Sequence, residues 1–205
     1  MNNSELCEIA KKHEDRGDLE KAYQYYLEAA LSEDDGEAMY ALARMYFEGN
    51  FLREDYDKAG RYIGFAFDRK AKIKPWTLIM AGNYWQKHSE ESAENLIFAE
   101  KYYQAAADLG VRYGHECLGE LYYARGDYEK AYEHLLQMEK RNPLGFYYMG
   151  RLYDEGHAVE QDMDKAVEYY KKAIECALPH EEEYGEDEHC ALAKERLKEL
   201  GLGKP

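Results

Sequence analysis

Threonine is nearly absent from this chain. One Thr stands among 205 residues, beside four Ser, four Cys and four Pro. Each shortage excludes something. The four cysteines, Cys7, Cys117, Cys176 and Cys190, show no C-x-x-C spacing, which argues against a disulfide framework and a zinc ribbon and for reduced thiols in a cytoplasmic setting. Ser4, Ser32, Ser89 and Ser92 stand in no G-x-S-x-G elbow and begin no S-x-x-K, so no serine nucleophile is indicated. Walker and dinucleotide fingerprints are missing as well. No apolar run approaches the 18 residues of a membrane span, and the opening MNNSELCEIAKKHEDRGD lacks the apolar core of a secretory leader. Basic charge is also short. The net charge is −15, a field that repels a phosphate backbone and argues against nucleic acid as a partner. The single basic cluster, residues 69–74, reads as a solvated connector.

What the chain has in excess is tyrosine, 21 in all. Each needs a place for an apolar ring and a polar tip, and an elongated fold with much half-buried surface supplies such places.

The rings recur at intervals. A small residue followed three positions later by a ring appears as Ala22/Tyr25, Ala59/Tyr62, Ala99/Tyr102, Ala131/His134 and Ala166/Tyr169. Lysine precedes four of these alanines, and seven residues further on lies Ala29, Ala66, Ala106, Met138 or Ala173. Seven residues are two helical turns, so each pair marks one narrow face open to close helix contact. Ahead of each lies a second pattern of apolar, small and, three later, ring: Ile9-Ala10…His13, Leu42-Ala43…Tyr46, Ala81-Gly82…Trp85, Leu118-Gly119…Tyr122 and Met149-Gly150…Tyr153. Self-similarity at such a period is the signature of a helical repeat array. Pro75 and Pro143 fall where first helices should start. Asp18, Asp55, Asp127 and Asp162 fall where second helices should start, able to take orphan N–H groups there.

Residues 149–169 read Met-Gly…Tyr153…Gly156…Val159…Asp162…Lys165-Ala166…Tyr169, and residues 42–62 read Leu-Ala…Tyr46…Gly49…Leu52…Asp55…Lys58-Ala59…Tyr62. These segments resemble the Sel-one-like repeat family, relatives of tetratricopeptide repeats. The resemblance implies an all-α, right-handed superhelical solenoid of about five antiparallel helix pairs. The units are expected at 4–31, 36–69, 75–109, 113–140 and 143–177, in a single repeat domain covering 1–205. An acidic connector at 179–189 and a capping helix at 190–200 complete it, with Arg196 where earlier copies place a ring. Ala158 and Phe51 stand where the family has a second loop glycine, and neither takes a left-handed backbone easily, so both loops are expected to be re-routed.

The resemblance further implies a non-catalytic scaffold, with no cofactor, whose first helices line a concave face. Partner-facing positions are then −6, −3, +1 and +4 from each small residue. The candidates are Tyr40, Arg44, Phe47, Trp76, Asn83, Tyr113, Glu120, Tyr123, Tyr147 and Arg151, rich in the rings and arginines favoured at binding hot spots. Asn83 is expected to pair with the backbone of an extended protein or peptide segment, and Arg44 or Arg151 with its carboxylates. Two alternatives remain. A metal-responsive or enzymatic role would use the acidic segment 180–190, with His180, His189 and Cys190 as ligands, although no H-E-x-x-H spacing supports it. The other is a homo-oligomeric structural part.

Overall fold

A computed structural model describes residues 3–32, 35–49, 55–90, 92, 94–138, 142–184 and 187–202. It is all-α, of the helical-repeat solenoid class, with no strand among the described residues. Five helix pairs follow one another: α1 (Asn3–Asp15) and α2 (Leu19–Ser32), α3 (Gly36–Glu48) and α4 (Tyr56–Asp68), α5 (Leu78–Lys87) and α6 (Glu94–Asp108), α7 (Tyr113–Ala124) and α8 (Tyr128–Leu135), α9 (Pro143–Glu155) and α10 (Met163–Tyr184). A last helix, α11 (Glu188–Glu199), packs on α9 and α10. The contacts divide the chain into two compact units, Met1–Val111 with α1 to α6 and Arg112–Pro205 with α7 to α11.

Helices of this length are marginal alone, so pairing must hold them. The pairing face is the alanine stripe. Ala22, Ala59, Ala99, Ala131 and Ala166 are all fully buried. Four positions on, the second helix sends a large side chain against the small residue of its partner. A Cβ added to Gly82 would fall inside the ring of Tyr103, one added to Gly119 would lie 2.6 Å from Leu135, and one added to Gly150 would lie 2.7 Å from Tyr170. The one second helix without a small residue at the later position is the short one. α8 stops at Leu135, so Met138 lies past its end, where its sulfur fills the space beside Gly145.

Four pairs are closed in one way. The N–H of Asp18, Asp55, Asp127 and Asp162 donates to the carbonyl of His13, Tyr46, Tyr122 and Tyr153, at 2.9, 3.1, 3.0 and 2.9 Å. Each accepting residue stacks its ring on the ring of the second helix. His13 meets Tyr25 at 5.6 Å between centroids, Tyr46 meets Tyr62 at 5.9 Å, Tyr122 meets His134 at 5.4 Å and Tyr153 meets Tyr169 at 5.7 Å. The lysine three residues after the aspartate salt-bridges back to it, at 2.7 to 3.2 Å in all four pairs. In three pairs that lysine also covers the first helix's ring, with Lys58, Lys130 and Lys165 at 5.1, 5.1 and 4.9 Å from the centroids of Tyr46, Tyr122 and Tyr153. Aspartate, lysine and ring thus form one closure, in which the stack contributes about 0.5–1.5 kcal/mol and, where the carboxylate also caps the helix, as those of Asp55 and Asp162 do at 2.9 and 3.0 Å, the cap adds about 1 kcal/mol.

The closure also explains the two loop lengths. The alanine follows the ring by nine positions in the first and fourth pairs and by thirteen in the second and fifth, yet the same N–H meets the same carbonyl. The extra four residues are looped out, at an entropic cost below about 1 kcal/mol. In the fifth pair the loop is not idle. His157 stacks on Tyr128 at 3.9 Å, Val159 packs against Leu135, Met149 and Leu152, and the Gln161 amide donates to the Asp154 carbonyl at 2.6 Å.

Three expectations need correction. Pro75 opens a single 3-10 turn, Pro75–Thr77, and α5 begins only at Leu78. The acidic connector is shorter than expected, because α10 continues to Tyr184. Ala158 is not re-routed but takes the left-handed conformation at φ 58°, shortly after Gly156 at φ 70°. Phe51 lies outside the described residues.

Because a left-handed alanine costs roughly 1–2 kcal/mol, Ala158→Gly should stabilise the chain by about 0.5–1 kcal/mol after the glycine's larger unfolded-state entropy is deducted. Urea titration measures this. Gly82→Ala should instead destabilise by about 1–3 kcal/mol, and adding Tyr103→Leu should recover part of the loss, since Ala43 opposite Ile63 already combines those sizes in the second pair.

Candidate functional site

The +4 row of the first helices is divided by what the second helix sends across. Where that residue is tyrosine, the +4 position is polar and takes its hydroxyl. Tyr26 donates to Glu14 at 2.8 Å, Tyr103 to Gln86 at 2.7 Å and Tyr170 to Asp154 at 2.9 Å. Where it is Ile63 or Leu135, the +4 position is a ring, Phe47 or Tyr123. Glu14, Gln86 and Asp154 therefore hold the fold, whereas Phe47 stays exposed. Tyr123 is half-buried between Tyr128 and Tyr148 and donates to Glu155.

Most of the −3 row is internal. Ile79, Glu116 and Tyr147 are buried, while Tyr40 is half-buried. A helix in a stacked array packs on its neighbours as well as its partner, and this row faces them. In the +1 row both arginines are already engaged. Arg44 donates to Glu14 at 2.8 Å and lies 4.0 Å from Glu48. Arg151 donates to Glu155 at 2.7 Å and to the Tyr147 hydroxyl at 3.1 Å, with its guanidinium 5.2 Å from the Tyr123 ring centroid. The Asn83 side-chain amide lies 2.8 Å from the same Tyr103 hydroxyl and shares its one proton with Gln86. Glu120 accepts from Tyr148 at 3.3 Å, and burial pushes its carboxyl above the usual range despite the opposing pull of His189. Tyr113 stands exposed at the start of α7.

Two clefts gather six of the ten candidates. In the first unit, Tyr40, Arg44, Phe47 and Trp76 surround a cleft of ≈ 80 Å³ floored by Ala43, Ile63, Thr77 and Met80. In the second, Tyr147 and Arg151 line a polar cleft against Leu192, Glu195 and Arg196 of the cap.

The alternative ligands are placed by packing. Cys190 is fully buried, and the His189 ring lies 5.8 Å from those of both Tyr147 and Tyr148. Their backbone N–H groups are capped by Asp187 at 2.9 and 3.1 Å. The side chain of His180 lies outside the described residues, among which no group of three His, Cys, Asp or Glu converges. Burial pushes the thiols of Cys7 and Cys176 up to about 11 and that of Cys117 higher still. They stay protonated at neutral pH, a poor state for a nucleophile.

Sequence reasoning missed two residues. Asn95 occupies the aspartate position of the third pair, and its side-chain amide donates to the His88 carbonyl at 2.7 Å, closing the one pair that lacks the aspartate. Asp154, 5 % exposed, is gripped by Arg196 of α11 through Nε at 2.7 Å and Nη2 at 3.0 Å. The signal was available: Arg196 replaces a ring, and Asp154 stands opposite Tyr170.

The repeat grammar has a direct counterpart. The Sel1 repeat family model matches residues 14–34, 36–66, 79–111, 112–142 and 147–178, the first segment covering α2 with the end of α1 and each of the others covering most of one helix pair. The chain belongs to the Sel1 repeat family. Sel1 repeats are generally protein–protein interaction modules on a typically non-catalytic scaffold. Among solved structures, a Sel1 repeat protein from Oxalobacter formigenes is 18% identical, with a TM-score of 0.51, over 97% of this chain and 88% of that one. A protective antigen of uropathogenic Escherichia coli with an SLR fold is 17% identical, with a TM-score of 0.39, over 97% and 54%. None of the curated proteins matches this chain.

The Arg196 guanidinium beside Asp154 holds its carboxyl below the usual range. Folding therefore favours the ionised form. The stability it contributes is complete above the ordinary aspartate value of about 4 and is lost as pH falls through the lowered folded value. Asp154→Asn should reduce unfolding free energy at pH 7 by about 2–3 kcal/mol, and the gap to the parent should shrink in denaturant titrations below about pH 4.

Proposed function

We propose that this Sel1 repeat protein is a non-catalytic adaptor that binds a protein segment on the outward rows of its first helices. The observation that carries this reading is the first-unit cleft, where Tyr40, Arg44, Phe47 and Trp76 come together. Phe47 and Trp76 are exposed rings on the expected partner face, and no buried hydroxyl or fold-closing bond occupies them. Rings and arginine around a small apolar floor are the composition of a hot spot. At ≈ 80 Å³ the cleft has room for one side chain, well below the ~300 Å³ at which small-molecule sites begin. The arginines orient the hydroxyl and ring network, and offer a partner only the donors that Glu14 and Glu155 leave over.

Phe47→Ala with Trp76→Ala should weaken binding of a captured partner, measured with both purified proteins, by at least tenfold. Leu31→Ala with Ile97→Ala, at exposed positions on second helices, should leave it unchanged, as should both melting curves. Equal binding by the two double variants would remove the first-unit cleft from consideration.

A further inference from the structure

The first unit carries a contiguous group of exposed rings. Tyr56, Phe47 and Trp76 are 55%, 37% and 45% exposed. Phe47 meets each of the others edge-on, with centroids 5.8 Å apart in both pairs. Scattered apolar residues on a surface are ordinary, but a contiguous patch of large rings marks an interaction site.

Beside it runs the only basic cluster of the chain. The connector after α4 is tied along the start of α3, where the Lys72 N–H donates to Glu37 at 2.7 Å and the Lys74 N–H donates to the Tyr40 hydroxyl at 3.3 Å. Lys74 thereby lines the same cleft as Arg44, Phe47 and Trp76. Elsewhere in this unit most lysines meet acids, as in Lys58–Asp55, Lys87–Asp57 and Lys101–Asp68, and Lys11 and Lys12 of α1 stand apart from the connector. Among the described residues, Lys70, Lys72 and Lys74 place no ammonium in an ion pair, and all three are exposed. The nearby acids are engaged: Glu14 takes Tyr26 and Arg44, Glu37 takes the Lys72 N–H, and Glu48 stands 4.0 Å from Arg44. In a chain of net charge −15, three unpaired ammonium groups on one connector, with Lys74 bordering the aromatic patch, are a local reversal of sign. Such complementarity selects partners and accelerates encounter.

We propose that this surface binds an acidic protein segment carrying one apolar anchor residue. The anchor enters the cleft above Ala43, Ile63 and Met80 against Phe47 and Trp76, and flanking carboxylates face Lys70, Lys72 and Lys74. The inference rests on the adaptor reading above and narrows it to one unit and one partner chemistry.

A random peptide library displayed on phage is selected against the full chain at low salt. The enriched peptides are then titrated by fluorescence anisotropy. Parent protein is compared with three variants: Lys70→Ser/Lys72→Ser/Lys74→Ser, Phe47→Ala/Trp76→Ala and, in the second unit, Tyr147→Ala/Arg151→Ala. The expected result is peptides of net negative charge around an aliphatic or aromatic residue. Their affinity should fall about tenfold in each first-unit variant and several-fold between 50 and 300 mM salt, as expected for screened charges, with no change in the second-unit variant. Enriched peptides without an acidic bias, or acidic peptides indifferent to the lysine substitutions, overturn the proposal. If binding is instead lost only in the second-unit variant, the acidic-segment inference fails while the adaptor reading stands. A library that yields no binder to any face removes both. A labelled single-stranded oligonucleotide is titrated in parallel, and tighter binding to it through the same lysines assigns the surface to nucleic acid and overturns the proposal. Circular-dichroism melts verify that each variant is folded, and the lysine variant alters only exposed side chains.

Discussion

Four of the five helix pairs depend on one hydrogen bond, from the N–H of an aspartate that opens the second helix to the carbonyl of a ring residue near the end of the first. Around it gather the ring stack and the lysine that bridges back to the aspartate. The bond fixes the separation of the two helices at their joined end, and the alanine stripe fixes it along their length. Neither constraint involves the loop between, which explains why that loop varies by four residues without disturbing the pair. In the third pair the aspartate is replaced by Asn95, and the side-chain amide takes over the task.

This economy decides where the many tyrosines go. Some stack within a pair, as Tyr46 on Tyr62 and Tyr153 on Tyr169. Others, Tyr26, Tyr103 and Tyr170, cross a small residue and hand their hydroxyl to a polar group on the first helix. Every such hydroxyl commits one surface position to the fold. In the first unit, Phe47 stands where Ile63 has no hydroxyl to place, so the exposed rings collect at the second helix pair.

The repeat grammar was legible because it is local. Ala22, Gly82 or Asp162 can be recognised from neighbours within one helical turn or one loop. The candidate face was legible as a set of positions but not as a set of free residues. Arg44 and Arg151 were expected to meet a partner's carboxylates and instead meet Glu14 and Glu155. Asp154 was expected to face outward and is held by an arginine 42 residues later. Arg151 and Glu155 are one helical turn apart on α9, a pair that spacing alone could have reported; no spacing rule reports the other two contacts, because they join residues on different repeats or on repeat and cap. Ala158 shows the opposite limit. Its propensity argued for a changed route, yet the packing of Val159 and the bond from Asp162 to Tyr153 hold the loop in place and outweigh a strain of about 1–2 kcal/mol.

The sequence by itself determined the helix pairs, their order, their closures and the family, since these follow from short-range periodicity and capping. Only the tertiary structure decided which outward residues remain available. That depends on which hydroxyl, carboxylate or guanidinium arrives from a neighbouring helix, and in a stacked array those neighbours come from tens of residues away. The same dependence placed Lys74, the last of the connector's unpaired lysines, in the cleft with Phe47 and Trp76, and two backbone bonds to α3 hold the connector in place.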